Sequence, residues 1–124
     1  MCGIFGFIGA KYDNFEVDLS KMMVALHHRG PDSYGYFSAS VSSDISINLG
    51  HSRLAIIDTS SAGQQPMHSR DGRYTIVFNG EIYNFQNLRR ECEVLEPSIN
   101  WQSNSDTEVI LIEGSNTSHS RLKF

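Results

Sequence analysis

The sequence has no apolar stretch approaching the roughly 18 residues that would span a bilayer. Its N-terminus lacks the basic segment followed by an apolar one that marks a secretory signal. It contains no basic stripe and no run of like charge, and its net charge is only −4. Nucleic acid and membranes are therefore not predicted as partners, and the expected location is the cytoplasm.

Cysteine is also scarce, with Cys2 and Cys92 alone in 124 residues. Without an export signal, a structural disulfide between them is the weaker interpretation. Cys92 has no partner nearby in the sequence and is expected to be inert. The His, Cys, Asp and Glu residues show no metal-ligand spacing, so no metal is predicted. The 40% hydrophobic content is sufficient for the core of one domain.

Short apolar segments predict strands at residues 2–8, 54–57 and 74–78. Residues 45–49 alternate between apolar and polar side chains, which predicts a further strand with one polar face. The pair Asn79-Gly80 is typical of a turn and ends the 74–78 segment.

Helices are predicted beside these strands. Apolar residues at i, i+3, i+4 and i+7 from Leu19 form one helical face, with Asp18 as the candidate N-cap. A second helix is expected after Asn84. Ser105 and Glu108 have the spacing of a capping box ahead of a third apolar segment. Strands lead and helices flank them, which indicates an α+β fold.

The position of Cys2, directly behind the initiator methionine, is chemically informative. If Met1 is removed, Cys2 carries both a thiol and a free α-amino group. Their ordinary pKa values are about 8.5 and about 7.7–8.0, so the amine can act as a base for the thiol. The alternative is that Cys2 is a small buried hydrophobe that opens a strand.

Three further places have both a structural and a functional interpretation. Arg53 is either a surface charge or a planar donor fork for a carboxylate. Asn79 and Gly80 either form a hairpin turn or aim an amide and a backbone N–H at one oxyanion, with Glu81 beside them for an ammonium group. Asp106 either complements a helix dipole or points its carboxylate into a site.

Taken in order, six segments resemble the class II glutamine amidotransferase domain, and within that class the glutamine-hydrolysing asparagine synthetases. They are Cys-Gly-Ile-Phe-Gly at 2–6, His-Arg-Gly-Pro-Asp at 28–32, Gly-His-Ser-Arg-Leu-Ala-Ile-Ile-Asp at 50–58, Gln-Pro-Met at 65–67, Asn-Gly-Glu-Ile-Tyr-Asn at 79–84 and Ser-Asp-Thr-Glu at 105–108. The second and fifth segments indicate the asparagine synthetase branch.

The resemblance implies an N-terminal-nucleophile hydrolase fold, an αββα sandwich of two antiparallel sheets, incomplete at the C-terminus. It implies a type 2 glutamine amidotransferase domain over residues 2–112. A divergent polar tail at 113–124 follows, in which the expected helical continuation is lost after Ile112.

The resemblance also implies catalytic roles. Cys2 would attack the side-chain amide of glutamine, and its own α-amino group would relay the proton. Asn79 and the backbone N–H of Gly80 would form the oxyanion hole.

The implied glutamine-binding residues are Arg53, Leu54, Ala55, Ile56, Ile57, Asn79, Gly80, Glu81 and Asp106. Arg53 would hold the α-carboxylate, and the backbone of residues 54–57 would line the pocket. Glu81 and Asp106 would hold the α-ammonium group.

In the family, ammonia passes to an ATP-using synthetase domain that converts aspartate to asparagine. We expect ATP and Mg only in such a domain, no cofactor in this chain, and a homodimer in the full-length family. Two other hypotheses are a glutaminase that serves a sugar or peptide acceptor, and a non-catalytic remnant. A fragment is the favoured interpretation. Such a chain is expected to be poorly stable and nearly inactive alone, because missing strands would leave sheet edges uncovered.

Overall fold

The computed structural model describes residues 1–11 and 15–115. These residues form two compact units. The first comprises Met1–Ala55, Gln64–Pro66 and Val77–Gly80. The second comprises Ile56–Gly63, Met67–Ile76 and residues 81–115.

The first unit is built on a three-stranded antiparallel sheet of order β1-β3-β2. Its strands are β1 (Gly3–Ala10), β2 (Ser33–Ser40) and β3 (Ile45–Arg53). Gly3 lies opposite Ser52, and Ser33 lies opposite Arg53. The starts of β1 and β2 therefore meet the end of β3 at one end of the sheet.

The sequence predicted β1 and β3 but not β2. The strand expected at 2–8 is confirmed with slightly different ends, and the strand expected at 45–49 continues to Arg53. In β2, the exposed side chains include Tyr34 and Tyr36, which are 54% and 52% exposed. Large aromatic residues on the exposed side hide the alternation of polar and apolar residues by which a half-buried strand is recognised.

The polar face of β3 is the more buried one. Asn48 is 2% exposed, whereas Ile45 is 41% exposed. Helix α1 (Phe15–Leu26) covers this face, because the Leu26 side chain lies 3.0 Å from the position that a Cβ on Gly3 would take. The register places Gly3 on the same side of the sheet as Asn48.

Helix α1 begins before its predicted cap. Asp18 lies inside the helix, and its carboxylate accepts a hydrogen bond from Lys21 Nζ at 3.0 Å. The prediction of Asp18 as N-cap is therefore wrong. The predicted apolar face packs inward, with Leu19 6% exposed and the other three members partly buried. Those three are Met22, Met23 and Leu26.

The second unit combines a two-stranded antiparallel sheet with two helices that contact each other. Its elements are β4 (Met67–His68), β5 (Thr75–Ile76), α2 (Phe85–Leu95) and α3 (Asp106–Ser115). The strand predicted at 74–78 is reduced to two residues, since its partner β4 is only two residues long.

The strand predicted at 54–57 is absent, and this prediction is wrong. Strand β3 ends at Arg53, and the following residues leave the sheet. Ile56 and Ile57 are 72% and 42% exposed. Residues 54–57 therefore do not extend a sheet. They include the point where a segment of the first unit, ending at Ala55, continues into a segment of the second unit, beginning at Ile56.

The two helices of the second unit start near the expected residues. Asn84 occupies the N-cap position of α2, but its side chain makes no capping hydrogen bond. At α3, Ser105 Oγ accepts from the Thr107 N–H at 3.2 Å, as expected of an N-cap. Helix α3 continues to Ser115, so the loss of helix after Ile112 is wrong for residues 113–115. The rest of the expected tail lies outside the described residues.

Within the described residues, the fold is α+β, with two antiparallel sheets and three α-helices. None of the helices in this part of the chain has both the length and the apolar character needed to cross a bilayer.

Candidate functional site

The register of the first sheet brings the Cys2 thiol to the end of β3. Because Gly3 pairs with Ser52, Cys2 lies next to the chain segment that follows the strand. The Leu54 N–H donates to Cys2 Sγ at 3.3 Å, and Sγ lies 3.6 Å from the Leu54 carbonyl oxygen. The thiol is partly exposed. Cys2 is therefore held beside Arg53 and Leu54 without being sealed in the core.

The Arg-Gly-Pro-Asp segment at 29–32 braces this end of β3. The Ser52 hydroxyl donates to the Gly30 carbonyl oxygen at 2.7 Å. The approach is so close that a Cβ on Gly30 would collide with the backbone of Ser52, which explains the glycine.

Asp32 stabilises the same end of β3. Its N–H donates to the Arg53 carbonyl oxygen at 3.0 Å, and its Oδ2 accepts from the Ala55 N–H at 2.8 Å. The backbone on both sides of Leu54, which contacts the thiol, is thereby held by one residue.

Arg53 is buried, with 7% of its surface exposed. The interpretation of Arg53 as a free surface charge is therefore wrong. Leu54 and Ala55 are partly buried beside it, whereas Ile56 and Ile57 belong to the second unit. Of the residues expected to line the pocket, the first unit brings Leu54 and Ala55 next to Cys2 and Arg53.

Asn79 and Gly80 are exposed at the end of an irregular segment of the first unit. They do not form the hairpin turn of the structural interpretation, since no strand pairs immediately before and after them. The segment is anchored through Phe78, whose N–H donates to Oε1 of the buried Gln65. The peptide bond between Gln65 and Pro66 is cis.

His51, in β3, is buried with 1% of its surface exposed. Burial lowers the pKa of its imidazole below 6.5, and the charge of Arg53 lowers the pKa further. The backbone of Phe78 opposes this shift. His51 is therefore a neutral ring at neutral pH.

In the second unit, the Asp106 carboxylate is buried, with 6% of the residue exposed. Its Oδ2 accepts from the Ile82 N–H at 2.9 Å. This hydrogen bond fixes the backbone next to Glu81, which is exposed. The two carboxylates predicted to hold an ammonium group are thus linked through Ile82.

The capping box at α3 is only half formed. Glu108 does not reach back to Ser105; its carboxylate accepts from the Gln102 N–H, the Ser103 N–H and the Ser103 hydroxyl, each at 2.8 Å. The spacing correctly predicted that Glu108 binds backbone near the start of α3. It predicted the wrong partner, because the preceding loop at Gln102 and Ser103 binds the carboxylate instead of Ser105.

Four residues in these segments had no role predicted from the sequence. They are Asp32, His51, Asp58 and Gln65. All four lie inside the quoted motifs. No other sequence signal marked them, since Asp32, Gln65 and Asp58 each bond a backbone N–H that lies 13 or more residues away.

Cys92 behaves as a structural residue. Burial, with the neighbouring Glu113 carboxylate, raises the pKa of its thiol to about 12. Its Sγ lies 3.0 Å from Glu113 Oε1. In the described part of the chain, no three His, Cys, Asp or Glu residues are arranged to bind a metal ion.

The second unit also contains a cavity of about 240 Å³. Its lining includes Asp71, Glu96, Glu108 and Leu111. None of the predicted site residues lines it.

Comparison with known proteins gives these motifs a family. A model of the glutamine amidotransferase domain matches residues 1–121. The chain is 41% identical over 115 residues to asparagine synthetase [glutamine-hydrolyzing] 1 of Bacillus subtilis, covering 90% of the chain and 17% of that protein. It is 40% identical over 116 residues to asparagine synthetase B of Escherichia coli, covering 90% of the chain and 19% of that protein.

A further relative is amidase chry2 of Gibberella zeae, which is 34% identical over 124 residues, covering 90% of the chain and 17% of that protein. The chain thus spans less than a fifth of the length of these three relatives. Because the family model matches nearly the whole sequence, the chain belongs to the glutamine amidotransferase domain family.

Proposed function

We propose that this chain is the glutaminase portion of an asparagine synthetase, with Cys2 as the nucleophile after removal of Met1. The observation that carries the proposal is the Cys2 thiol, held at 3.3 Å by the Leu54 N–H directly after the buried Arg53. The exposed Met1 side chain, at 77%, is accessible for removal.

The first step converts glutamine to a thioester. The freed α-amino group of Cys2 takes the thiol proton, and the sulfur attacks the side-chain amide carbon. The carbonyl oxygen becomes an oxyanion, which accepts hydrogen bonds from the Asn79 amide and the Gly80 N–H. The α-amino group then returns the proton to the departing nitrogen, and ammonia leaves.

Water completes the reaction. It attacks the thioester carbon while the α-amino group accepts its proton, and the same oxyanion donors stabilise the second tetrahedral intermediate. Collapse of this intermediate releases glutamate and restores the thiol.

Substrate recognition in this proposal uses one group for each charge of glutamine. Arg53 binds the α-carboxylate, since its planar fork suits a bidentate carboxylate. Glu81 and Asp106 bind the α-ammonium group, supported by the hydrogen bond that Asp106 makes to the backbone next to Glu81. The backbone of residues 54–57 lines the pocket.

The wider proposal follows from the family. Residues 2–112 form the amidotransferase domain on an N-terminal-nucleophile sandwich, which the antiparallel sheets and helices support. Ammonia passes to a synthetase domain that uses ATP and Mg to amidate aspartate, and the full-length protein forms a homodimer. A second candidate is a glutaminase that serves another acceptor, a sugar or a peptide, because one relative is named an amidase.

The decisive variant is Cys2→Ala. Glutamine hydrolysis by the chain alone is expected to be slow, but chain with a free Cys2 amine should still release measurable glutamate and should form a covalent adduct with a chloromethyl ketone analogue of glutamine. Cys2→Ala should lower both rates at least about 1000-fold, because the nucleophile is lost. Mass spectrometry of the N-terminus and of the adduct provides the measurement.

The matched control is Cys92→Ala, which leaves the proposed nucleophile in place and should retain both activities. Equal activity in Cys2→Ala and the unaltered chain would refute the proposal. Efficient activity in protein that retains Met1 would refute the role of the α-amino group.

A further inference from the structure

His51 is a buried polar side chain whose ring nitrogens make no hydrogen bond of good geometry in the described part of the chain. It is 1% exposed and among the largest fully buried side chains of that part. Buried polar groups without partners are rare in native proteins, because each one costs free energy. This imidazole therefore requires an explanation beyond packing.

The surroundings of His51 are set by the sheet. It lies in β3 between Ile4 on one neighbouring strand and Gly35 on the other. A Cβ on Gly35 would collide with the carbonyl oxygen of Gln65. The cis-proline segment Gln65–Pro66 therefore packs directly on the sheet beside His51.

The next contact leads from Gln65 to the candidate oxyanion hole. The side-chain oxygen of Gln65 accepts from the Phe78 N–H, and the residue is only 9% exposed. The backbone of Phe78 is also the polar neighbour of the His51 ring. Phe78 thus contacts two buried polar side chains, and Asn79 and Gly80 follow it directly.

We propose that Gln65 and His51 are positioning residues that hold Asn79 and Gly80 in place for oxyanion stabilisation. The inference rests on the proposed function. Neither side chain touches the substrate; both act through the backbone of Phe78. A displacement of about 1 Å can reduce a reaction rate roughly 100-fold, so an anchor at this point affects the chemical step.

The absence of a well-formed hydrogen bond between His51 and the Phe78 backbone is compatible with a positioning role. Hydrogen bonds at catalytic sites are often long without substrate and tighten when the reacting complex forms. A neutral imidazole offers one N–H donor and one acceptor nitrogen, so it can pair with a backbone group without adding charge beside Arg53.

The test uses the full chain with the chloromethyl ketone analogue of glutamine. In Gln65→Met and in His51→Leu, the limiting rate of Cys2 modification should fall about 10- to 100-fold. The analogue concentration for half-maximal rate should change less than about 3-fold, because Arg53 is intact. A positioning role predicts this split, whereas general unfolding would impair both quantities.

Two matched variants test the chemistry of the anchor. Gln65→Glu keeps an oxygen acceptor for the Phe78 N–H and should recover most of the rate lost in Gln65→Met. His28→Leu changes an exposed histidine and should leave the rate unaltered.

A second readout does not depend on turnover. Hydrogen exchange of the Phe78 and Gly80 amides should accelerate at least about 10-fold in Gln65→Met and His51→Leu, while the Leu49 amide in β3 keeps its protection. Unchanged exchange at Phe78 and Gly80 would overturn the inference. If the unaltered chain neither hydrolyses glutamine nor reacts with the analogue, the proposed function fails, and exchange alone decides whether these residues hold the segment.

Discussion

The two units of the chain hold their buried polar groups by different means. In the first, an antiparallel sheet places Cys2 opposite the end of β3 and buries His51 within the strand. In the second, the strands are only two residues long, and buried carboxylates bind the loops. Asp58, Asp106 and Glu108 each accept at least one backbone N–H.

The difference shows how each unit orients chemical groups. A strand register determines position through many cooperative backbone hydrogen bonds, and in the first unit the Asp32 carboxylate adds only one hydrogen bond, to the Ala55 N–H, beside them. Where a carboxylate binds the backbone of a loop, the position of that loop depends on one side chain. The second unit should therefore be more sensitive to single substitutions of its acidic residues.

The largest predicted contrast between the units is the reactivity of their cysteines. Burial and the Glu113 carboxylate raise the pKa of the Cys92 thiol from 9.0 to about 12, which reduces its thiolate about 1000-fold at neutral pH. Cys2 is partly exposed. We expect an uncharged alkylating reagent to modify Cys2 at least about 100-fold faster, measured by peptide mass spectrometry over time.

Glu113→Gln provides the control for this contrast. Removal of the neighbouring charge should accelerate Cys92 modification while Cys2 modification stays constant. Comparable rates at the two cysteines of the unaltered chain would show that the thiol of the second unit is not protected.

The next contrast concerns stability. Glu108→Ala removes the acceptor of three hydrogen bonds from a carboxylate that is 8% exposed. The free energy of unfolding should fall by about 3 kcal/mol, because buried donors lose a charged partner. Urea unfolding followed by circular dichroism measures the change.

Asp18→Ala is the matched substitution in the first unit, where the carboxylate pairs with an exposed Lys21 at 3.0 Å. Exposed pairs contribute little, so a loss below about 0.5 kcal/mol is expected. Equal losses in the two variants would contradict the proposed difference between the units.

The smallest effect concerns pH. The pKa of His51 is lower in the folded chain than its ordinary value of 6.5, chiefly through burial. The unfolded chain therefore binds more protons in acid. The stability that neutral His51 contributes is present above pH 6.5 and is lost as the pH falls through the lowered folded value. Urea midpoints at successive pH values measure this loss.

His51→Gln should reduce the loss of stability between pH 7 and pH 5, because glutamine does not titrate. A variant whose stability falls as steeply as that of the unaltered chain would show that His51 is not responsible.

Part of the fold was predictable because local signals were strong. The apolar face of α1 and the alternation in β3 repeat over several residues, and both elements were found. Strand β2 was missed because Tyr34 and Tyr36 are exposed, and the 54–57 strand was wrongly predicted because apolar residues there leave the sheet. Burial of a short apolar run depends on what packs against it, which local pattern does not specify.

The sequence by itself determined the chemical inventory and the family: a cysteine behind Met1, an arginine, an Asn-Gly pair and two carboxylates in a specific order. The tertiary structure alone decided that Cys2 meets the backbone of Leu54 and that Arg53 is buried. It also decided that Asp32, Gln65 and His51 brace the neighbouring segments. The physical reason is that these contacts join residues far apart in the chain, and only strand register and packing bring them within hydrogen-bonding distance.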